Sequence, residues 1–129
     1  MTRRELRIDG LAEPISHYTD AVVAGDLLFV SGLIGVDGTG MLVGGDDVVV
    51  QVRQVFENMR MVLDDAGCRF EDVVKVTVFL TDVGDRARIN SVRQKVFGDA
   101  RPASTLVEVS RLAVAGAKVE IEAVALIPS

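Results

Sequence analysis

Short apolar runs typical of β-strands occupy the first third of the chain. Two of them, residues 21–24 and 27–30, flank Gly25-Asp26 and predict a β-hairpin with a two-residue turn. Glycine at the first turn position favours a type II′ turn. The pattern also predicts a further short strand around residues 5–9.

Apolar residues at steps of three and four predict a long amphipathic helix that starts after Asp46 or Asp47. An aspartate suits the N-cap of such a helix, and Gly67 suits the position just after its end. The apolar face comprises Val48, Val52, Val55, Phe56, Met59, Val62, Leu63 and Ala66. A second helix is predicted over about Asp85–Phe97, with Asp85 as its cap. Its buried face comprises Ile89, Val92 and Val96.

Three more strands are predicted in the rest of the chain. Val73–Thr81 is rich in β-branched residues, and apolar and polar positions alternate after Pro102 and again from Lys118. One face of the first of these strands is predicted to carry Val74, Val76, Val78 and Leu80. The order is hairpin, helix, strand, helix, strand, strand, and the length of 129 residues predicts a single domain over residues 1–129.

Two amphipathic helices can cover only one face of such a sheet. The other face is predicted to carry Glu108, Glu120 and Glu122 among apolar side chains. A face that is part acidic and part apolar suggests a partner, and the simplest partner is another copy of the chain.

Composition limits the function classes. The chain has 129 residues and a net charge of −5, so it has no overall field that attracts nucleic acid or an anionic membrane. A single cysteine, Cys68, excludes an internal disulfide, and one histidine excludes a multi-histidine metal site. No metal or cofactor is expected. No leader or apolar span of about 20 residues is visible, so a cytoplasmic protein without a membrane segment is expected.

Several side chains offer chemistry, each with an alternative interpretation. Glu120 and Glu122 lie two residues apart on one strand face, where their pKa values could separate, or they could form a charged pair at an interface. His17 is either an exposed loop histidine or a proton carrier. Arg93 falls on a polar helix face and is interpreted as solvated. Arg101 and Arg111 bracket a predicted strand and could bind a carboxylate.

The last strands carry a familiar motif. Residues 101–112 (RPASTLVEVSRL) and 118–125 (KVEIEAVA) resemble the signature of the RidA/YjgF family, the reactive-intermediate (enamine/imine) deaminases and their relatives. The resemblance extends over about residues 15–127. It implies a chorismate-mutase-like α+β fold, with a mixed sheet and two helices on one face. It also implies a homotrimer with a central barrel and small-molecule pockets at subunit interfaces.

The resemblance also assigns site residues. Glu120 matches the catalytic-site glutamate and Tyr18 the pocket tyrosine, while Ser31, Gly32 and Asn90 match further pocket positions. In the deaminases, an activated water adds to the imine carbon and ammonia leaves. Glu120 would position that water or move its proton.

Three residues depart from the family pattern. Ser104 stands where imine deaminases carry an arginine, Leu106 where many members have cysteine, and His17 where they have proline. That arginine clamps a substrate carboxylate, and each lost charged hydrogen bond costs about 1.5–3 kcal/mol. Strand alternation places Arg101 on the face opposite Ser104, which leaves His17 as the predicted replacement cation.

The expected function is hydrolytic deamination of an enamine, imine or aminomuconate-type small molecule, without the usual 2-iminopropionate specificity. One alternative is a non-catalytic trimer that binds a small molecule, which the loss of the arginine at position 104 favours. A remote alternative is the endoribonuclease or translation-inhibitor activity described for some relatives. The acidic charge disfavours that alternative.

Overall fold

The computed structural model describes residues 2–129. In this part of the chain, six strands and two α-helices follow the order β-β-β-α-β-α-β-β. They are β1 (Arg3–Leu6), β2 (Ala21–Ala24), β3 (Leu27–Ile34), α1 (Val48–Asp65), β4 (Val73–Leu80), α2 (Arg86–Phe97), β5 (Ala103–Glu108) and β6 (Val119–Leu126). Single 3₁₀ turns precede β4 and α2.

The strands form one mixed sheet in the order β1-β2-β3-β6-β4-β5. All neighbours are antiparallel except β4 and β5, which run parallel and are connected through α2. Helix α1 packs on β3 and β6, and α2 packs beside α1. The expected fold class, a mixed sheet with two helices on one face, is confirmed, while the trimer stays a prediction.

The predicted hairpin forms between β2 and β3. Gly25 has φ 61° and Asp26 does not have a positive φ, which excludes a type I′ turn and fits type II′. The first strand lies at Arg3–Leu6 rather than at 5–9. It ends at Leu6, which pairs with Ala21 at the start of β2, and beyond it the buried Asp20 carboxylate accepts hydrogen bonds from the backbone N–H of Ile8 and from the Arg7 guanidinium.

Helix α1 has the predicted caps. The Asp47 side chain accepts from the N–H groups of Val49 and Val50, and Gly67 follows the helix with φ 75°. Gln51 is fully buried on this helix. Its amide donates to the carbonyls of Gly45 and Gly116 and accepts from the N–H of Lys118, which fixes the loop that leads into β6.

Helix α2 differs from prediction at its start. Asp85 occupies the N-cap position, but its side chain accepts no hydrogen bond from the helix backbone and instead pairs with Arg88 at 3.5 Å. Ile89 and Val92 are buried as predicted, and Phe97 joins them in edge-to-face contact with Phe56 and Phe70. Within residues 2–129, neither helix combines the length and apolar character needed to cross a membrane.

Two predicted strand faces are each wrong at one residue, Val74 and Glu108. A register irregularity between Val73 and Lys75 buries Val73 and leaves Val74 exposed. Glu108 lies on the helix-covered face rather than on the open one, because it pairs with the buried Leu80 in the parallel β4–β5 register. Its carboxylate accepts from the N–H of Val83 at 2.9 Å. The open face carries Glu120 and Glu122 as predicted, together with Phe29, Lys75, Thr77, Phe79 and Val124.

Candidate functional site

A bulge in β3 creates space beside Glu120. Three steps along β3, from Val30 to Leu33, oppose only two along β6, from Ala123 to Ile121. The extra residue lies at Ser31-Gly32. A Cβ on Gly32 would come within 2.7 Å of the nearer Glu120 carboxylate oxygen, so glycine is what lets the carboxylate lie against this strand.

Glu120 opens into a cavity of about 410 Å³, here called the Glu120 cavity. It is lined by Ile15, Ser16, Tyr18, Ser31, Gly32, Ile34, Ala113, Val114, Glu120 and Glu122. Four predicted site residues, Tyr18, Ser31, Gly32 and Glu120, therefore meet in one place. The cavity is wide enough for a small organic molecule of a few heavy atoms.

The pKa of the Glu120 carboxyl is raised above its ordinary value. Burial raises its pKa, and the negative charge of Glu122 on the same strand face raises the pKa further. Among residues 2–129, Glu120 forms no ion pair that would offset this effect. A carboxyl group with a raised pKa can serve as a general acid or base closer to neutral pH.

The opposite wall of the Glu120 cavity is held by backbone contacts. The Ser31 hydroxyl donates to the carbonyl of Thr19 at 2.6 Å, and the Ser31 N–H donates to the carbonyl of Asp20 at 3.0 Å. The Ser31 oxygen is thereby left to accept hydrogen bonds from a ligand. Tyr18 is half exposed, and its hydroxyl accepts weakly from the N–H of Ile15 at 3.4 Å.

Asn90 and Ser104 lie in a different cavity, of about 370 Å³, between α2 and β5. This α2–β5 groove is lined by Asn90, Arg93, Gln94, Phe97, Gly98, Ala100, Arg101, Pro102 and Ser104. Ser104 pairs with the buried Val76 and so belongs to the helix-covered face, whereas Glu120 belongs to the open face. One chain therefore holds two separate groups of predicted site residues.

The α2–β5 groove corrects two interpretations of arginines. Arg93 is half-buried rather than solvated, and its Nη2 donates to the Ser104 hydroxyl at 2.9 Å. Burial lowers the pKa of Arg93. Arg101 lines the same groove as Ser104 and not the opposite face, because it precedes the first residue of β5 and strand alternation does not apply to it.

The remaining candidates lie elsewhere. Leu106 is half-buried against the hydrophobic core, and His17 is exposed in the loop before β2 and lines neither cavity. Burial raises the pKa of the Cys68 thiol, which fits an inert structural residue. Within the described part of the chain, no three His, Cys, Asp or Glu side chains gather in a metal-binding arrangement.

Comparison with known proteins identifies the family. The family model described as Endoribonuclease L-PSP matches residues 10–127. The chain belongs to the RidA/YjgF family. A RutC family protein of Pyrococcus horikoshii is 46% identical over 114 residues, which cover 88% of this chain and 89% of the relative.

Two further relatives are a protein named as an imine deaminase and a solved structure of the same fold. A human protein named 2-iminobutanoate/2-iminopropanoate deaminase is 38% identical over 113 residues, covering 87% of this chain and 81% of the relative. The crystal structure of RidA from an Antarctic Psychrobacter bacterium has a TM-score of 0.90 at 34% identity, covering 96% and 99% of the two chains.

Arg93 lines the α2–β5 groove but was not among the predicted site residues. The available signal was its spacing from Asn90, since residues three apart on a helix share one face. A polar helix face looks solvated in the sequence, and only the position of β5 beside α2 makes this one half-buried.

Proposed function

We propose that the protein hydrolyses a small imine or enamine to a carbonyl compound and ammonia, with Glu120 as the acid–base residue. The observation that carries this proposal is the Glu120 carboxyl itself, half-buried in a cavity, with a raised pKa and beside a glycine that makes room for it. The similarity to a protein named as an imine deaminase supports the same reaction.

The proposed reaction needs one water and one proton carrier. An enamine first takes a proton on carbon to give its imine tautomer. The imine nitrogen takes a proton from solvent, and ionised Glu120 accepts a proton from water as the water oxygen bonds to the C=N carbon, so that the nitrogen becomes a neutral amine. Protonated Glu120 then returns the proton to this nitrogen. The C–N bond breaks, ammonia leaves, and the hydroxyl passes its proton to solvent to form the carbonyl, which returns the proton that the imine nitrogen took up.

The complete pocket is proposed to need a second copy of the chain. Asn90 and Ser104 are separated from Glu120 by the sheet within one chain, so a neighbouring copy would have to bring its α2–β5 groove to the Glu120 cavity. The open sheet face offers an apolar surface for this contact, with Phe29 44% exposed. A homotrimer with pockets between subunits is the proposed assembly.

A non-catalytic binding protein is the second candidate. Position 104 presents a neutral hydroxyl rather than a cation, which would suit a pocket that retains a ligand without turning it over. Ribonuclease activity is disfavoured by the net charge of −5 and by the two carboxyl groups in the Glu120 cavity.

The proposed activity is tested by ammonia release from imines generated in the assay by an amino-acid oxidase. Wild type is compared with Glu120→Gln and with Glu71→Gln, an exposed glutamate that lines neither cavity. Glu120→Gln should lose about 10²–10⁴-fold in rate, and Glu71→Gln should match wild type. No turnover by wild type above the uncatalysed rate would favour the binding protein.

A further inference from the structure

The α2–β5 groove differs in charge from the Glu120 cavity. Its lining contains two arginines, Arg93 and Arg101, and no carboxylate. The Glu120 cavity contains two carboxylates and no cation. A concave surface with cations alone favours a ligand that carries negative charge.

Arg93 is half-buried and has no carboxylate counter-ion among residues 2–129. Arg7, Arg60 and Arg88 each pair with at least one aspartate or glutamate. Across residues 2–129, no carboxylate pairs with Arg93, and its recorded partner is the neutral Ser104 hydroxyl. A half-buried guanidinium without an acid retains unused donors and gains more from an anion than a solvated one does.

The neighbouring groups also present donors. Because the Ser104 oxygen accepts from Arg93, its own hydroxyl proton is available for another acceptor. The Asn90 amide lies one helical turn before Arg93 on the same wall. A planar guanidinium fork matches the two oxygens of a carboxylate.

We propose that Arg93, assisted by Ser104 and Arg101, is the carboxylate-binding group of this protein and that its ligand is a small carboxylic acid. This inference rests on the proposed function in one respect: the acid would be the imino-acid substrate or its oxo-acid product. Carboxylate recognition is then retained without an arginine at position 104. The cation comes from helix α2 and reaches the Ser104 hydroxyl on the helix-covered face of β5.

The binding test uses calorimetric titration of the purified protein with pyruvate, 2-oxobutanoate and glutarate, and with inorganic phosphate and pyruvamide. Wild type should bind at least one carboxylate and should bind pyruvamide more weakly. Arg93→Gln should weaken carboxylate binding at least 10-fold, and Arg93→Lys should weaken it less. Arg86→Gln is the matched control, an exposed arginine at the start of the same helix that lines neither cavity.

The results separate this inference from the proposed activity. The inference is overturned if wild type binds none of the carboxylates, binds only phosphate, or binds carboxylates equally well after Arg93→Gln. Loss of binding in Arg93→Gln, with an unchanged circular-dichroism spectrum and thermal midpoint, supports it even if no imine is hydrolysed. Conversely, Glu120-dependent hydrolysis with an unaltered KM in Arg93→Gln would retain the activity and refute the carboxylate site.

A double variant tests whether the guanidinium must come from α2 or need only lie at the position of the Ser104 hydroxyl. In Arg93→Gln/Ser104→Arg the guanidinium moves from α2 to β5, onto the residue that Arg93 now contacts at 2.9 Å. Carboxylate binding should recover at least several-fold relative to Arg93→Gln alone. No recovery, with the fold intact, would contradict a site centred on the Ser104 hydroxyl.

Discussion

Replacing Gly32 with alanine tests whether the position of the Glu120 carboxylate controls turnover. The added Cβ would lie 2.7 Å from one carboxylate oxygen and 2.9 Å from the carboxyl carbon, whereas ordinary contacts begin near 3.4 Å. The carboxylate must therefore move by about 0.7 Å, the difference between 3.4 and 2.7 Å. Misplacement of a reacting group by about 1 Å can cost about 10²-fold in rate.

The same substitution should have little effect on stability. Gly32 does not have a positive φ, so alanine fits its backbone, and the clashing atoms belong to the end of a flexible side chain. Reduced freedom of the unfolded chain contributes about 0.4–1 kcal/mol in favour of alanine, which offsets part of the rearrangement. The free energy of unfolding is expected to change by less than about 1 kcal/mol.

The assay combines ammonia release with urea unfolding for Gly32→Ala, Glu120→Gln and the double variant. We expect kcat to fall about 10–100-fold in Gly32→Ala. In the Glu120→Gln background the alanine should cause no further loss, because both changes act on one group. Full activity in Gly32→Ala, or losses that multiply in the double variant, would refute the role assigned to this contact.

Three further predictions concern pH and the fold. Because the Glu122 charge raises the pKa of Glu120, Glu122→Gln should move the rising limb of kcat/KM to lower pH; an unmoved limb would contradict the coupling. The pKa of Glu120 is raised in the folded protein, so its ionisation destabilises the fold as the pH rises above the unfolded-state pKa of about 4.3. Glu120→Gln should therefore be more stable than wild type at pH 7 but not at pH 4. Gln51→Ala should lose about 3 kcal/mol in urea unfolding because it leaves buried backbone groups of the loop before β6 unpaired, whereas Gln54→Ala, which bonds only Asn58, should lose less than about 1 kcal/mol. Equal losses of unfolding free energy in the two variants would contradict the role of Gln51 in fixing the loop that leads into β6.

The helices and the hairpin could be predicted because their signals are local. Apolar residues spaced three and four apart define the buried face of α1, and Asp47 and Gly67 mark its ends. Gly25-Asp26 between two apolar runs fixes the hairpin turn. Each of these signals depends on residues within a few positions of each other.

Features that depend on strand pairing were not predictable in this way. Alternation divides β5 into two sets of residues, but only its parallel pairing with β4 places Glu108 and Ser104 on the helix-covered face. The bulge that exposes Val74 is likewise invisible in the sequence, where Val74, Val76, Val78 and Leu80 alternate with Lys75, Thr77 and Phe79 as in a regular strand. The burial of Arg93 follows from the packing of α2 beside β5, which no local pattern records.

The candidate site was predicted in part. The resemblance placed Tyr18, Ser31, Gly32 and Glu120 in one pocket, and these residues line one cavity. Their catalytic and binding roles stay predictions. The carboxylate-binding group was sought at His17, which lines neither cavity, whereas Arg93 contacts the serine at position 104 directly.

The most direct test of the account is a side-by-side measurement of kcat and KM for one imino acid with wild type, Glu120→Gln and Arg93→Gln. The account predicts that Glu120→Gln loses kcat with little change in KM, and that Arg93→Gln raises KM at least 10-fold. Separate effects of this kind would indicate one substrate held by the α2–β5 groove and hydrolysed at Glu120. Turnover that persists in Glu120→Gln at the wild-type rate would contradict the central claim.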